Sequence, residues 1–269
     1  MRQSSWLYLV ALLVAAALLA VLPFAAAVQL PYGANTTEFN NQTAPIPFPH
    51  ENNAVAGNVT AMNLAALTTT QSWQGYYGNV SGTVQLANSA GAVFYNWSDA
   101  SPTGQVFASM NNTVNWYWLQ CFNYTATGAE TGTAGETPGQ NNLNGMNLSQ
   151  LQNYFGIVPT APDSVNNTFN LNGTGAFNTF YVASMEFNAS NSSTDCQASH
   201  LFSNGASTPN FQEVLQYDPS TNAVVFTSIL TNNQVGFDGV THDFEMLVLD
   251  NGHGTNTTTT PYYFYVQLQ

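Results

Sequence analysis

Phe211-Gln212-Glu213-Val214-Leu215-Gln216-Tyr217-Asp218-Pro219-Ser220-Thr221-Asn222-Ala223-Val224-Val225-Phe226-Thr227-Ser228-Ile229-Leu230 reads as two β-strands around a tight turn. Both flanks are rich in Val, Phe, Tyr and Thr, which suit a pleated surface, and they are bounded by turn residues. Asp218 before Pro219 opens the turn, and Asn222 tolerates the left-handed conformation that closes it. Segments joined this closely pair antiparallel.

Runs of the same character recur on both sides: Thr68–Tyr77, Ser81–Leu86, Ala92–Trp97, Gln105–Ser109, Val114–Phe122, Ser164–Leu171, Phe177–Phe187, His242–Leu249 and Tyr262–Leu268. A second hairpin joins Thr83–Leu86 to Ala92–Tyr95 through Asn88-Ser89-Ala90-Gly91. In the last run Tyr262, Phe264, Val266 and Leu268 alternate with Tyr263, Tyr265 and Gln267, as in a half-buried strand. The fold class expected is all-β, a β-sandwich or jelly-roll-like domain over 58–269 with about ten to twelve strands. Asn147–Tyr154 is the one segment expected to form a short helix, after a Thr-, Gly- and Asn-rich loop at 124–146.

The chain begins Met1-Arg2, runs apolar from Trp6 to Leu22, and reaches Pro23 and the small residues Ala25-Ala26-Ala27. That order is expected of an N-terminal signal helix at 1–27 cleaved after Ala27. An uncleaved anchor is the alternative, since a membrane span needs about 20 apolar residues. Under either reading the remainder lies outside the cytoplasm, at the cell surface or beyond it. Residues 28–57, with Pro31, Pro45, Pro47 and Pro49 among many Asn and Thr, read as an extended arm.

Apolar residues make up 44% of the chain and aromatics 13%, enough for a sizeable core and against intrinsic disorder. Charge is scarce: Lys and Arg together number 1, against 14 Asp and Glu, for a net charge of −13 at pH 7. The single cation is Arg2, so past the leader no Lys or Arg can neutralise a phosphate, which excludes ordinary nucleic-acid binding. In strong acid the carboxylates protonate, and a surface without Lys or Arg avoids the cationic repulsion that unfolds most proteins there. An acid-tolerant protein of an acidic habitat is one expectation. A chain offering nothing to trypsin-like proteases is the other.

Cys121 and Cys196 are the only cysteines. In an oxidising compartment an even count points to a disulfide, and neither has the CxxC or paired His spacing of a metal site. The sequon Asn-x-Ser/Thr occurs at Asn35, Asn41, Asn58, Asn79, Asn96, Asn111, Asn123, Asn147, Asn166, Asn172, Asn188, Asn191 and Asn256. This is about twofold more than chance pairing of these residues would give. N-glycosylation is expected at several, most readily at Asn35, Asn41, Asn147 and Asn256, with sugars supplying solubility that charge does not.

Trp73-Gln74-Gly75-Tyr76-Tyr77-Gly78-Asn79-Val80-Ser81-Gly82 couples aromatics to glycines. With Asp243-Phe244-Glu245-Met246, Asn251-Gly252-His253-Gly254 and the aromatic end Tyr262–Val266, it resembles a group of uncharacterised archaeal secreted surface glycoproteins. The resemblance covers about residues 68 to 269 and implies location rather than chemistry. The aromatics serve either as a platform for sugar rings or, more commonly, as core packed around a glycine-assisted bend.

The cluster His242, Asp243, Glu245, Asp250 and His253 is the best candidate for chemistry. On a continuous strand Asp243 and Glu245 share one face and His242 takes the other, so a metal site would need the following loop to fold back. No nucleophile elbow, His-Glu-x-x-His helix or phosphate-binding glycine loop is present. Paired carboxylates from any two strands could still cleave a glycosidic bond. The expectation is therefore a non-enzymatic structural or adhesive surface protein, part of an envelope or filament, with no cofactor. A secreted carbohydrate-binding or carbohydrate-cleaving protein is the alternative. The partners expected are further copies of the chain, joined by strand addition through residues 55 to 67, or cell-surface glycans. The membrane is a partner only through an uncleaved leader.

Overall fold

In the computed structural model the described residues are 30–37, 39–40, 42, 54–64, 68–99, 102–128, 142–191, 195–203, 206–250 and 259–269. The leader, Asn41, His253, Asn256 and the middle of the 124–146 loop lie outside them. The strands in chain order are β1 (Tyr32–Gly33), β2 (Trp73–Gly78), β3 (Gly82–Ala87), β4 (Val93–Asp99), β5 (Gly104–Ser109), β6 (Gln120–Cys121), β7 (Phe180–Val182) and β8 (Met185–Phe187). They continue with β9 (Ala198–Ser203), β10 (Ala206–Asp218), β11 (Ala223–Ile229), β12 (Gln234–Val235), β13 (Thr241–His242), β14 (Phe244–Leu249) and β15 (Tyr263–Leu268). Two short helices interrupt them, α1 (Leu148–Tyr154) and α2 (Val165–Thr168).

The all-β class holds, with more strands than expected and a second helix. One seven-stranded antiparallel sheet runs β1-β15-β5-β11-β10-β6, and β9 shares with β6 the outer edge of β10. The hairpin read first from the sequence is its centre: Gln212 lies opposite Ile229 and Asp218 opposite Ala223. The Asp218 carboxylate accepts the Ser220 N–H at 2.9 Å and the Thr221 hydroxyl at 2.7 Å, while Asn222 takes φ 54°. At the other hairpin Asn88 Oδ1 accepts the N–H groups of Ala90 and Ala92, and Gly91 takes φ +80°.

Layers cover the central sheet on both faces, which gives the sandwich-like packing. On one face Val106, Ala108, Leu215, Tyr217, Val224 and Phe226 meet Met246 and Val248 of β14 and Leu151, Phe155, Val165 and Phe169 of the helical segment. On the other, Phe107, Val214, Val225 and Ile229 meet Trp116, Leu119, Phe177, Phe180 and Phe187. Gly104 lets β5 approach β15 closely, since a Cβ there would run into the Gln267 carbonyl.

Several segments depart from their sequence reading. Ser164–Leu171 forms α2 rather than a strand, because the Gln152 side chain of α1 accepts the Val165 N–H at 3.2 Å and Thr168 N–H returns to the Ser164 carbonyl. Val114–Phe122 yields only β6, and Phe177–Phe187 splits into β7 and β8 at Ala183, where φ is 54°. The arm is not wholly free, as Tyr32 and Gly33 pair with Val266 and Tyr265 of their own chain. The Asn147 helix start is as expected: its Oδ1 accepts the Gln150 N–H at 3.0 Å and Gln150 Oε1 accepts the Asn147 N–H at 3.1 Å. Asn147→Ala should cost about 1 kcal/mol in urea unfolding, whereas Ser149→Ala, which deletes only the sequon, should cost under about 0.5 kcal/mol. Equal losses would mean the cap contributes nothing.

Candidate functional site

The two segments that looked most distinctive in sequence are neighbours. β2 pairs with β14 over its whole length, from Gly78 opposite Phe244 to Trp73 opposite Leu249. Trp73 and Tyr76 turn into the core, where Trp73 meets Phe169 and Phe226, and Tyr76 meets Phe264 edge to face. Tyr77 points the other way, its ring 4.8 Å from both Phe237 and His242.

The His and carboxylate cluster is rearranged relative to its sequence reading. A bend at Asp243 separates β13 from β14 and resets the alternation, so His242 and Glu245 converge while Asp243 leaves them. A Cβ built on Gly236 would lie 2.5 Å from His242 Cδ2 and 2.6 Å from Glu245 Oε1, which places both around that glycine. Asp238 completes the group through Oδ1, 3.0 Å from His242 Nε2. Sequence reasoning passed over Asp238; its place four residues before His242, in a turn, was the available signal.

Glu245 is nearly buried and takes the Phe237 N–H at 2.7 Å. Burial pushes its carboxyl above the usual glutamate range, against the downward pull of that N–H and of His242. Asp238, at the surface, is lowered chiefly by the Val240 N–H. Asp243 instead ties three segments together, accepting the Val80 N–H at 3.0 Å and the Asn233 N–H at 3.1 Å. Asp250 stands apart, its N–H on the Ser72 carbonyl. Among the described residues no three His, Cys, Asp or Glu side chains are grouped to hold a metal ion. The arrangement offers two exposed aromatics, Tyr77 and Phe237, beside an acid that already holds a histidine.

Glu213 is a different kind of acid. It sits fully buried in β10, its Oε2 accepting the Leu247 N–H of β14 at 2.9 Å and its Oε1 meeting no partner among the described residues. Ser199 and Ser228 lie opposite it on the neighbouring strands, and the Tyr262 phenol is raised chiefly by its own burial, with Glu213 a minor contributor. Burial pushes its carboxyl well above the usual range, and the described residues contain no Lys or Arg to neutralise it.

Cys121 and Cys196 form the disulfide, fully buried against the second core. It joins β6 to the residue pair before β9, the two segments that share one edge of β10. Of the sequons, Asn35, Asn58, Asn79, Asn96, Asn172 and Asn191 are exposed, and Asn111, Asn123, Asn147, Asn166 and Asn188 are half-buried. The Asn147 carboxamide is engaged at both ends, since its Nδ2 also donates to the Ala126 carbonyl.

The β3–β4 hairpin, expected from the sequence as a hairpin, was not among the candidate sites read there. Among the described residues it pairs with no other strand, and Val84, Leu86, Phe94, Tyr95 and Trp97 are all exposed. No protein-family model, curated protein or solved structure matches this chain.

Proposed function

We propose that the chain is an exported, N-glycosylated, non-enzymatic structural or adhesive protein of the cell surface. The observation that carries this reading is the uncovered apolar hairpin β3–β4, set among exposed sequons on a disulfide-linked β domain. Monomeric proteins rarely leave a contiguous apolar patch open unless it binds something. The Asp238–His242 pair supports a non-catalytic role, because Asp238 holds the histidine and Glu245 holds the Phe237 N–H, so these groups are engaged in fixing the 236–245 loop. Buried Glu213 and Glu245, whose carboxyls burial raises above the ordinary glutamate range, fit an acidic setting.

Cell fractionation with intact-mass analysis tests the reading. The protein should be recovered outside the cytoplasm, with glycan mass on peptides holding Asn35, Asn58, Asn79, Asn96, Asn172 or Asn191. A bare polypeptide in the cytosolic fraction would refute it. A carbohydrate-binding role is the second reading, favoured by exposed Tyr77 and Phe237 beside Asp238. Loss of glycan binding in Tyr77→Ala, with the fold intact, would favour it over the structural role.

A further inference from the structure

The β3–β4 hairpin is amphipathic. Its register sets Val84 opposite Trp97 and Leu86 opposite Tyr95, and therefore on one face, while Thr83 opposite Ser98 and Gln85 opposite Asn96 form the other. The polar face belongs in water. The apolar face is also in water: Val84 is 39%, Leu86 52%, Tyr95 56% and Trp97 51% exposed, although the Tyr95 and Trp97 rings already pack at 4.8 Å. A two-stranded hairpin is marginally stable unless something covers such a face.

What can cover it follows from charge. Residues 82–98 contain no Asp, Glu, His, Lys or Arg, whereas the whole chain carries −13 at pH 7. Two copies repel over most of their surface, and this stretch lets them meet without bringing carboxylates together. Aromatic residues of β4 lie opposite aliphatic residues of β3 on the same face, so a two-fold rotation would set each Tyr95–Trp97 pair over the Val84 and Leu86 of a second copy. The sequon Asn96 lies on the opposite face, so a glycan there projects away from such a contact.

We infer that a second copy of this chain covers the Val84, Leu86, Tyr95 and Trp97 face of the hairpin in a two-fold contact. This rests on the proposed surface role and supplies its assembly unit. Among the described residues β3 and β4 pair only with each other, and away from Gly82, which lies against Leu268 of β15, changes on the hairpin's faces should leave the central sheet intact.

The test is sedimentation velocity across a concentration series at low pH and at neutral pH, using the full chain expressed with its own leader. The parent should dimerise. Leu86→Asp and Trp97→Asp should each weaken the dimer about tenfold or more, and the polar-face control Gln85→Asp by less than about twofold. Circular dichroism and the intact disulfide serve as controls for folding. The inference is overturned if the apolar-face variants associate like the parent, or if Gln85→Asp weakens association equally. It also fails if only deletion of 28–67 abolishes the dimer, which would assign the contact to the arm. A parent that stays monomeric yet floats with phosphatidylcholine vesicles would overturn it in favour of a lipid surface. None of these results alters where the protein is found or whether it is glycosylated, so failure here is separate from failure of the surface role.

Discussion

Exchanging Glu213 for glutamine is expected to raise the unfolding temperature at pH 7 and to leave it nearly unchanged at pH 3. The folded carboxyl sits well above 4.5, its ordinary value, because residues 211–218 of β10 are buried on both faces and only the Leu247 N–H partly offsets that burial. A carboxyl raised by folding gives its stability in full below the unfolded value and loses it as pH rises through the folded one. Across that window the native protein should lose about 1.4 kcal/mol per pH unit. For a domain of this size that is about 2–4 °C for each kcal/mol. Glutamine has no proton to lose, can still accept from Leu247, and so should escape the loss. Glu245→Gln should act in the same direction but less, since Glu245 retains the Phe237 N–H and lies near His242. The measurement is calorimetry from pH 3 to pH 7. An unfolding temperature that is flat or rising over that range, or a glutamine variant that gains nothing at pH 7, would remove Glu213 as the origin of acid preference.

The second large effect is that of the disulfide. Cys121 and Cys196 are 75 residues apart, and opening that loop should release chain entropy worth about 4.5 kcal/mol at 25 °C. Both side chains are fully buried beside Val214 and Ala198, so serine at the two positions would also leave hydroxyls in an apolar core. The Cys121→Ala, Cys196→Ala double variant avoids that added penalty and should unfold about 9–18 °C lower. β6 and β9 lie along the same edge of β10, so hydrogen exchange should quicken first there, while β5 and β11 stay protected. A shift of less than about 2 °C would mean the edge is held by its strand pairing and core contacts alone.

Much of the fold was legible in sequence where local chemistry is strong. Asp218-Pro219 with Asn222, and Asn88 with Gly91, carry turn chemistry that fixes a hairpin whatever surrounds it. Asn147 and Gln150 likewise fix the start of α1 through a reciprocal cap. Where neighbours decide, the sequence misled. Ser164–Leu171 has strand-like residues at both ends, but Gln152 of α1 captures Val165 and turns the segment into a helix. Ala198–Ser203 carries little strand propensity and becomes β9 because it lies along β10 beside the disulfide.

The candidate site divides in the same way. Its residue types could be read directly: His242 and Glu245 near each other, Trp73 to Gly78 aromatic and glycine-rich. Their arrangement could not, because alternation along a strand assumes an unbroken strand, and the bend at Asp243 reverses which side chains share a side.

By itself the sequence determined an all-β chain, its turns and the single pairing open to two cysteines. It also determined a charge inventory that leaves buried acids without lysine or arginine. Only the tertiary structure decided that the central strands are covered on both faces, so that Gln212 and Gln216 are buried at positions that alternation alone would assign to water, while Glu213 and Ser228 are buried on the apolar side with Leu215, Tyr217 and Phe226. It also decided that, among the described residues, the alternating hairpin β3–β4 keeps Val84, Leu86, Tyr95 and Trp97 exposed. The physical reason is that a period of two identifies the apolar side of a strand, whereas burial depends on what else in the molecule packs against each side.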